Sequence, residues 1–529
     1  MKSLDLLIIF GYLIGITLLG TWFGRKQETT RDYFLGDRTV PWWAIAASIV
    51  ATETSTITFI SVPGIAFARG GNFQFLQLVL GYMLGRVVIS LLFIPSYFRG
   101  DLLTVYQLLD RRFGARIKML AASLFVVMRN IADGIRLLLT AIVLAAVYTS
   151  FQPQANADTL VVASIVLIGI VMIIFTYFGG MEAVIWIEVV QLGIYIAGAL
   201  AAAIVIANST PGGWAAAMDL GRQFDKFDVF DFSFTLTKTF TFWAGLIGGC
   251  FLTMSTHGTY QYLVQRYLCT DRPRRAATAL LSSGAVVFAQ FIGFLFIGVL
   301  LFAFYHPYTD AAYATLAPGA ATLPGVGGVF QTVGSDRIFP DFITQHLPSG
   351  LSGLVVAAIF AAAMSSSLNS IAATAVNDLY KPFAPDKTDK HYFRVSHVLT
   401  LVWGVVQIAV ALVARHQQSS ALGAVLSVAA LINGPVLGVF LVGTFLRRVG
   451  KPPALIGMLT SVIVMTYIYF RTPLAWTWYA FAGSLITFAV AWLASFAFAP
   501  APAARRDELA PGGASVEPFL SATEANRAK

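Results

Sequence analysis

The sequence predicts an all-α polytopic membrane protein, and three observations carry that prediction. Hydrophobic residues make up 57% of the chain and charged ones only 12%, where a soluble domain carries about 25% charged residues. About 13 apolar stretches recur, each long enough to cross roughly 30 Å of hydrocarbon. Two of them, 42–69 and 240–266, are interrupted at their midpoints by small polar residues, reading SIVATETSTITFISVPG and GGCFLTMSTHGTYQYLVQR. A membrane helix that opens its backbone leaves N–H and C=O groups without partners, so the break must face protein or a watery cavity. Interrupted helices in corresponding positions of two halves point to a transporter's binding site.

The elements follow in order. The run at 4–24 is too long for a signal-peptide core and lacks a small-residue cleavage site, so residues 1–41 read as a first span and a cytoplasmic loop. Residues 42–207 hold five spans, at 42–69, 74–98, 118–150, 158–178 and 181–207, the first of them broken. A loop at 208–239 leads to five more in 240–446, at 240–266, 276–305, 350–379, 392–414 and 420–446, again with the first broken. Because five is odd, the second set enters the membrane upside-down relative to the first, which is an inverted-topology repeat. Two closing spans lie in 447–499, and the Ala-, Pro- and Glu-rich segment 500–529 reads as a disordered cytoplasmic tail.

The net charge of +9 invites a nucleic-acid reading, which its distribution excludes. About 20 of the 35 Lys and Arg fall in alternate loops, among them Arg25, Lys26, Arg111, Arg112, Arg266, Arg272, Lys387 and Arg447. By the positive-inside rule those loops are cytoplasmic, the N-terminus is outside and the C-terminus inside, in a cell membrane. Cys250 and Cys269 have neither disulfide nor zinc spacing.

Polar residues at bilayer depth are the candidate site. In the first break Ala51, Thr52, Glu53, Thr54, Ser55 and Thr56 offer carbonyls and hydroxyls, the hard oxygens an alkali cation takes; a lone hydroxyl there would merely bond back and bend the helix. Glu53 needs a partner or a proton: it is a cation ligand, an acceptor for substrate hydroxyls, or half of an ion pair. Glu188 lies two turns inside an apolar helix and balances a cation or bonds a neighbouring helix. Asp133 and Arg136, three apart, share a helical face; alternatively Arg136 or Arg129 clamps an anionic substrate. Arg86 is a further polar intruder, and His257, in the second break, is a hydrogen-bonding wall of the cavity. Ser365, Ser366, Ser367, Asn369 and Ser370 crowd one stretch of the 350–379 span.

The order of RDYFLGDRTVPWW, GGMEAVIWIEVVQ, THGTYQYLVQR and FPDFITQHLPSGLSGLVVAAIFAAAMSS resembles the sodium:solute symporter family over roughly residues 1–450. The resemblance implies a LeuT-like five-plus-five inverted repeat with one extra N-terminal helix and two C-terminal ones. It implies a sodium site at Ala51, Thr54, Ala362, Ser365 and Ser366, with Glu188 as ligand of a possible second sodium. Substrate contacts are expected from Glu53, Ser55, Thr56, Arg136, Thr256 and His257; of these the resemblance itself implies only an arginine, Arg136 or else Arg129, on a carboxylate. About three residues present in family members between AAAMSS and SLNS are missing here, and Glu188 stands where the family has Asp.

The expected function is sodium-coupled uptake of a small polar solute, a sugar or polyol or an organic acid, by a monomer using no cofactor beyond the coupling ion. A proton-coupled carrier and a transporter-like sensor are the alternatives. A membrane enzyme would need a nucleophile–base or metal constellation, and the six His have no plausible partners for one.

Overall fold

A computed structural model of the chain describes residues 3–24, 29–99, 102–149, 156–305, 321–324, 330–333, 335, 338–363, 367–415 and 421–501. The predicted tail from 502 onward and Ser365 and Ser366 lie outside the described residues. Apart from an antiparallel hairpin, β1 (Ala321–Pro324) with β2 (Phe330–Val333), the described elements are helical.

Helix α1 (Ser3–Gly24) is followed by the short α2 (Thr30–Leu35) and by α3 (Trp42–Glu53) and α4 (Thr56–Phe67), the two halves of the first interrupted span. Next come α5 (Leu76–Leu92), α6 (Tyr106–Phe113), α7 (Ala115–Thr149) and α8 (Ala157–Ser209). Helix α9 (Gly213–Gln223) precedes α10 (Gly249–Gly258) and α11 (Gln261–Leu268), the halves of the second interrupted span. Helices α12 (Pro273–Tyr305), α13 (Ile338–Gln345), α14 (Leu351–Ala363) and α15 (Ser367–Thr374) follow. The last four are α16 (Asp389–Ala414), α17 (Ala421–Phe445), α18 (Lys451–Arg471) and α19 (Tyr479–Ala494).

Among the described residues seven helices are long and apolar enough to cross a membrane, and eight when α3 and α4 are joined as one bent span. The 53-residue α8 holds two of the predicted spans. They part at Gly180, whose φ of 59° and ψ of −166° require a residue without a Cβ. Exposed Leu7, Phe10, Ile14 and Leu18 on α1, and Ile463, Tyr467 and Phe470 on α18, give these helices the apolar outer faces that lipid solvates.

Two contacts fix the halves of the bundle. Asp5 is wholly buried; its Oδ1 accepts from the N–H groups of Gly350 (2.6 Å) and Gly353 (3.1 Å) and from Ser352 Oγ (2.9 Å). This places an anion on the N-terminus of α14, where the helix's unpaired N–H groups and dipole favour it. At the other end of α4, Lys226 Nζ donates to the carbonyls of Ala66 (2.9 Å), Phe67 (3.1 Å) and Ala68 (2.7 Å) and sits 4.2 Å from the centroid of the Phe302 ring. An ammonium has one proton for each of these orphan carbonyls, and a cation suits a helix C-terminus. Close packing does the rest. A Cβ on Gly81 would strike the backbone of Gly245 and Cys250, and one on Gly245 the backbone of Gln77, so α5 meets the second interrupted span backbone to backbone.

Burial pushes the Lys226 ammonium down to about 7. The unfolded chain keeps this proton up to the usual lysine value near 10.5, while the folded chain releases it near 7. Between those limits the unfolded state binds more protons, so stability rises with pH. Melting curves of the protein and of Lys226→Met should therefore diverge, the parent gaining relative to the variant from pH 7 to 10; a constant difference would refute the assignment.

Candidate functional site

The two helix breaks face each other across a cavity of about 270 Å³. The first opens where α3 ends at Glu53: Thr54 has φ −76° and ψ 46°, Ser55 has φ −58° and ψ 161°, and α4 leaves at 56° to α3. The hydroxyl run both bends and caps the chain. Thr52 and Thr54 donate to the carbonyls of Ser48 and Val50, each at 2.7 Å. Ser55 Oγ caps α4 by accepting from Thr58 N, and Thr58 Oγ1 donates to the Glu53 carbonyl at 2.8 Å. Thr54 Oγ1 also reaches Gln290 Oε1 on α12 at 2.8 Å. The second break lies at Thr259 and Tyr260, where Tyr260 is extended (φ −102°, ψ 115°). Its freed Gly258 carbonyl accepts from Tyr97 Oη.

Glu53, Ser55, Arg136, Thr256 and His257 all line the cavity. The side chain of Thr56 is outside the described set. Glu53 Oε1 takes two donors, Arg86 Nη2 from α5 and His257 Nε2 from α10, the latter at 2.6 Å. Thr256 Oγ1 lies 3.0 Å from His257 Nδ1, fixing the ring from its other edge. Arg86, which the sequence marked only as an intruder, is thus the ionic partner that lets Glu53 stay at bilayer depth.

The predicted Asp133–Arg136 pairing is present, as the looser of two contacts on the same carboxylate. Asp133 is gripped in bidentate fashion by Arg129, through Nε at 2.7 Å and through Nη2, whereas Arg136 Nη1 stands 3.5 Å away. Arg129 also stacks 3.8 Å above the ring of Tyr262. Arg136 Nε has no hydrogen-bond partner among the described residues and is buried, so this guanidinium borders the cavity with donor capacity in reserve.

Glu188 bonds to neighbouring helices, one of the two readings open to it from the sequence. It is 1% exposed and pairs with Arg266, which is wholly buried, through Nη2 at 2.6 Å and Nε at 3.3 Å. Ser48 Oγ and Thr52 Oγ1 complete its shell, the latter at 3.1 Å. Its charge is met by the Arg266 guanidinium. Arg266 was counted among the loop charges of the cytoplasmic side; it sits instead in the last turn of α11, inside the bundle. Of the expected sodium ligands, Ala51 and Thr54 are buried at the end of α3 and beside the break. Ala362 lies in the last turn of α14, with its side chain outside the described set, as are Ser365 and Ser366. Asn369 on α15 bonds Gln265 Nε2 of α11 at 2.6 Å and the carbonyl of Tyr33 at 3.3 Å, a tie between residues 104 and 336 positions apart that no local pattern foretells.

The chain is similar to known proteins along most of its length. A model of the sodium:solute symporter family matches residues 33–461. The chain is 30% identical over 499 residues to the sodium/sialic acid symporter NanT of Aliivibrio fischeri, covering 93% of this chain and 92% of that protein. It is 30% identical over 508 residues to the sodium/sialic acid symporter SiaT of Proteus mirabilis, covering 93% and 95%. The solved structure of a Na+-coupled sialic acid symporter, substrate-bound and outward-open, superposes with a TM-score of 0.80 at 28% identity, covering 94% of this chain and 99% of that one. Mhp1, a nucleobase-cation-symport-1 family transporter, shares the fold alone, with a TM-score of 0.53 at 13% identity over 90% of this chain and 97% of that one.

Removing one member of a buried ion pair leaves the other uncompensated, at a cost of about 3–5 kcal/mol. Arg266→Met should therefore lower the thermal midpoint strongly, and Glu188→Gln added to it should recover most of the loss. A single variant as stable as the parent would contradict the pairing.

Proposed function

Because the chain belongs to the sodium:solute symporter family, and is thus a multi-pass membrane transporter of LeuT-like fold rather than an enzyme, we propose that it carries a hydroxylated or otherwise polar organic monoanion into the cell together with sodium. The observation that carries this reading is the charge inventory of the cavity. Glu53 is offset by Arg86, and Asp133 by Arg129. Arg136 is the second arginine on Asp133, with Nη1 3.5 Å from it and a buried Nε that has no partner among the described residues, and it lines the cavity. Two guanidiniums sharing one carboxylate leave an excess of one positive charge, which favours a single further carboxylate, and Arg binds such a group through a planar pair of donors. The relatives' substrate, sialic acid, is such an acid.

Sodium is held by the carbonyls of Ala51, Thr54 and Ala362 with the hydroxyls of Ser365 and Ser366, uniting the opened helix with the Ser-rich one. The supporting geometry is the break itself, since Thr54 leaves helical φ/ψ and frees carbonyls of α3 from the ladder. Segments 42–207 and 240–446 are the two inverted halves, the N-terminus lies outside, and a monomer suffices because one chain lines the whole cavity.

An anionic solute changes the energetics of coupling. One sodium crossing 100 mV gains about 2.3 kcal/mol, and the accompanying anion loses the same amount. A one-to-one symport is then electrically silent and runs on the sodium gradient alone. A tenfold gradient is worth about 1.4 kcal/mol and accumulates the solute roughly tenfold.

Proteoliposome uptake of labelled sialic acid should vanish when sodium is replaced by choline at fixed pH; persistence would overturn sodium coupling and favour the proton-coupled alternative. Charged hydrogen bonds contribute about 1.5–3 kcal/mol, so Arg136→Gln should weaken carboxylate binding by roughly 10- to 150-fold while leaving stabilisation by sodium in thermal melts. Ser365→Ala should raise the sodium concentration needed for half-maximal uptake with a smaller effect on solute saturation; the reverse pattern would refute the proposed ligand set.

A further inference from the structure

Within the organic-acid reading above, and resting on it, we propose that Glu53 is the specificity-determining acceptor for the solute's hydroxyl groups. The site then selects polyhydroxylated monocarboxylates over plain carboxylates and over amino acids.

Three observations support this. First, Glu53 closes α3 at the break, and its side chain, 13% exposed, borders the same cavity as Arg136. Second, the carboxylate is used asymmetrically. Oε1 receives both Arg86 Nη2 and His257 Nε2, while no described residue donates to Oε2. A carboxylate has about four acceptor positions, so half of this group's capacity is left for a ligand. Third, its partners hold it still. Arg86 is 1% exposed and donates also to the Tyr82 carbonyl at 3.4 Å, and His257 is braced by Thr256 at 3.0 Å. The acceptor is therefore presented in a fixed direction before the solute arrives, which cuts the ordering cost of binding.

The charge state chooses the donor. Arg86 already cancels the Glu53 charge, so an ammonium arriving at Oε2 would find little net negative potential while losing its own hydration. A neutral hydroxyl loses far less on transfer and still makes a hydrogen bond to a charged acceptor. A solute with no donor at that point leaves Oε2 desolvated and unpaired, a penalty that turns a recognition contact into discrimination.

The test compares four probes on the full-length protein in sodium: sialic acid and gluconate as hydroxylated acids, hexanoate as a plain one, and norleucine as an amino acid. Thermal shift supplies apparent affinities, and competition against sialic acid uptake supplies function. At least one hydroxylated acid should bind no less than tenfold tighter than hexanoate and norleucine. Glu53→Ala combined with Arg86→Leu, which removes both charges together and spares the fold an unpaired arginine, should abolish that preference while hexanoate affinity stays within about threefold. Arg136→Gln should weaken both acids together. Equal binding of hexanoate and the hydroxylated acids to the parent protein, or a preference that survives in the double variant, would overturn the role given to Glu53 and leave the organic-acid reading standing. Preference for norleucine would make Glu53 an ammonium partner and overturn the proposal. Failure of all the acids to bind would overturn the organic-acid reading itself.

Discussion

Everything in this structure answers to the cost of opening two helices and placing carboxylates where no water can solvate them. The Glu53–Arg86–His257 cluster is the interaction on which the rest depends. It sits where α3 stops, and it joins the first interrupted span, α5 and the second interrupted span through one oxygen atom. Without a cation beside it, a carboxyl at that depth costs a few kcal/mol on insertion scales, and the break would lack the fixed polar wall that makes it a cavity. The backbone groups freed at the same place are met by the chain's own hydroxyls, Thr58 on the Glu53 carbonyl and Ser55 on the Thr58 N–H. Polar satisfaction and the cavity are therefore one construction.

A second tier repeats the solution with other residues. Glu188 lies on the part of α8 beyond Gly180 and takes Arg266 from α11 together with Ser48 and Thr52 from α3. Between them, the two carboxylates bind both halves of the second interrupted span to α3. Each is compensated within the protein, and the Arg129–Asp133 pair on α7 is compensated as well. Only against this background does one further guanidinium, Arg136, acquire a meaning. In a cavity of unbalanced charges it would be one cation among several.

The legible part of the fold was that written in local pattern. The breaks announce themselves because six consecutive small or polar residues, 51–56, cannot be explained as lipid-facing surface, and the turn at Gly180 is marked by a Gly pair between two apolar runs. Partner choice was not legible. Asp133 has Arg129 four residues before it and Arg136 three after, both on its own face, and spacing alone cannot decide that the bidentate grip belongs to Arg129. Arg266 misled for a related reason. A positive-inside count assigns charges by their distance from apolar runs, but the second half of a broken helix is short and protein-covered, so its last turn is still interior. Glu188 poses the same difficulty: its arginine lies 78 residues away in the chain, and spacing cannot assign it.

The distribution of strong and weak contacts also bears on how such a molecule can move. Ion pairs tie α3 to α5 through Glu53 and Arg86, and α8 to α11 through Glu188 and Arg266, while Ser48 and Thr52 of α3 donate to the same Glu188 carboxylate; breaking a buried pair of this kind costs about 3–5 kcal/mol. By contrast, α11 meets α15 through neutral amides, Gln265 with Asn369, and α3 meets α12 through Thr54 and Gln290. Neutral hydrogen bonds net only about 0.5–1.5 kcal/mol each. Were the cavity to open alternately to its two sides, the seams that cost least would give first, so α3, α5, α8, α10 and α11, joined through charged groups, would move together against the helix that carries Asn369. The proposed sodium would lie on that seam, between Ala51 and Thr54 on one side and the Ser-rich helix on the other. An ion bound there would be a strong contact that can enter and leave across a boundary otherwise held by weak ones, and its occupancy would then decide which conformation is favoured.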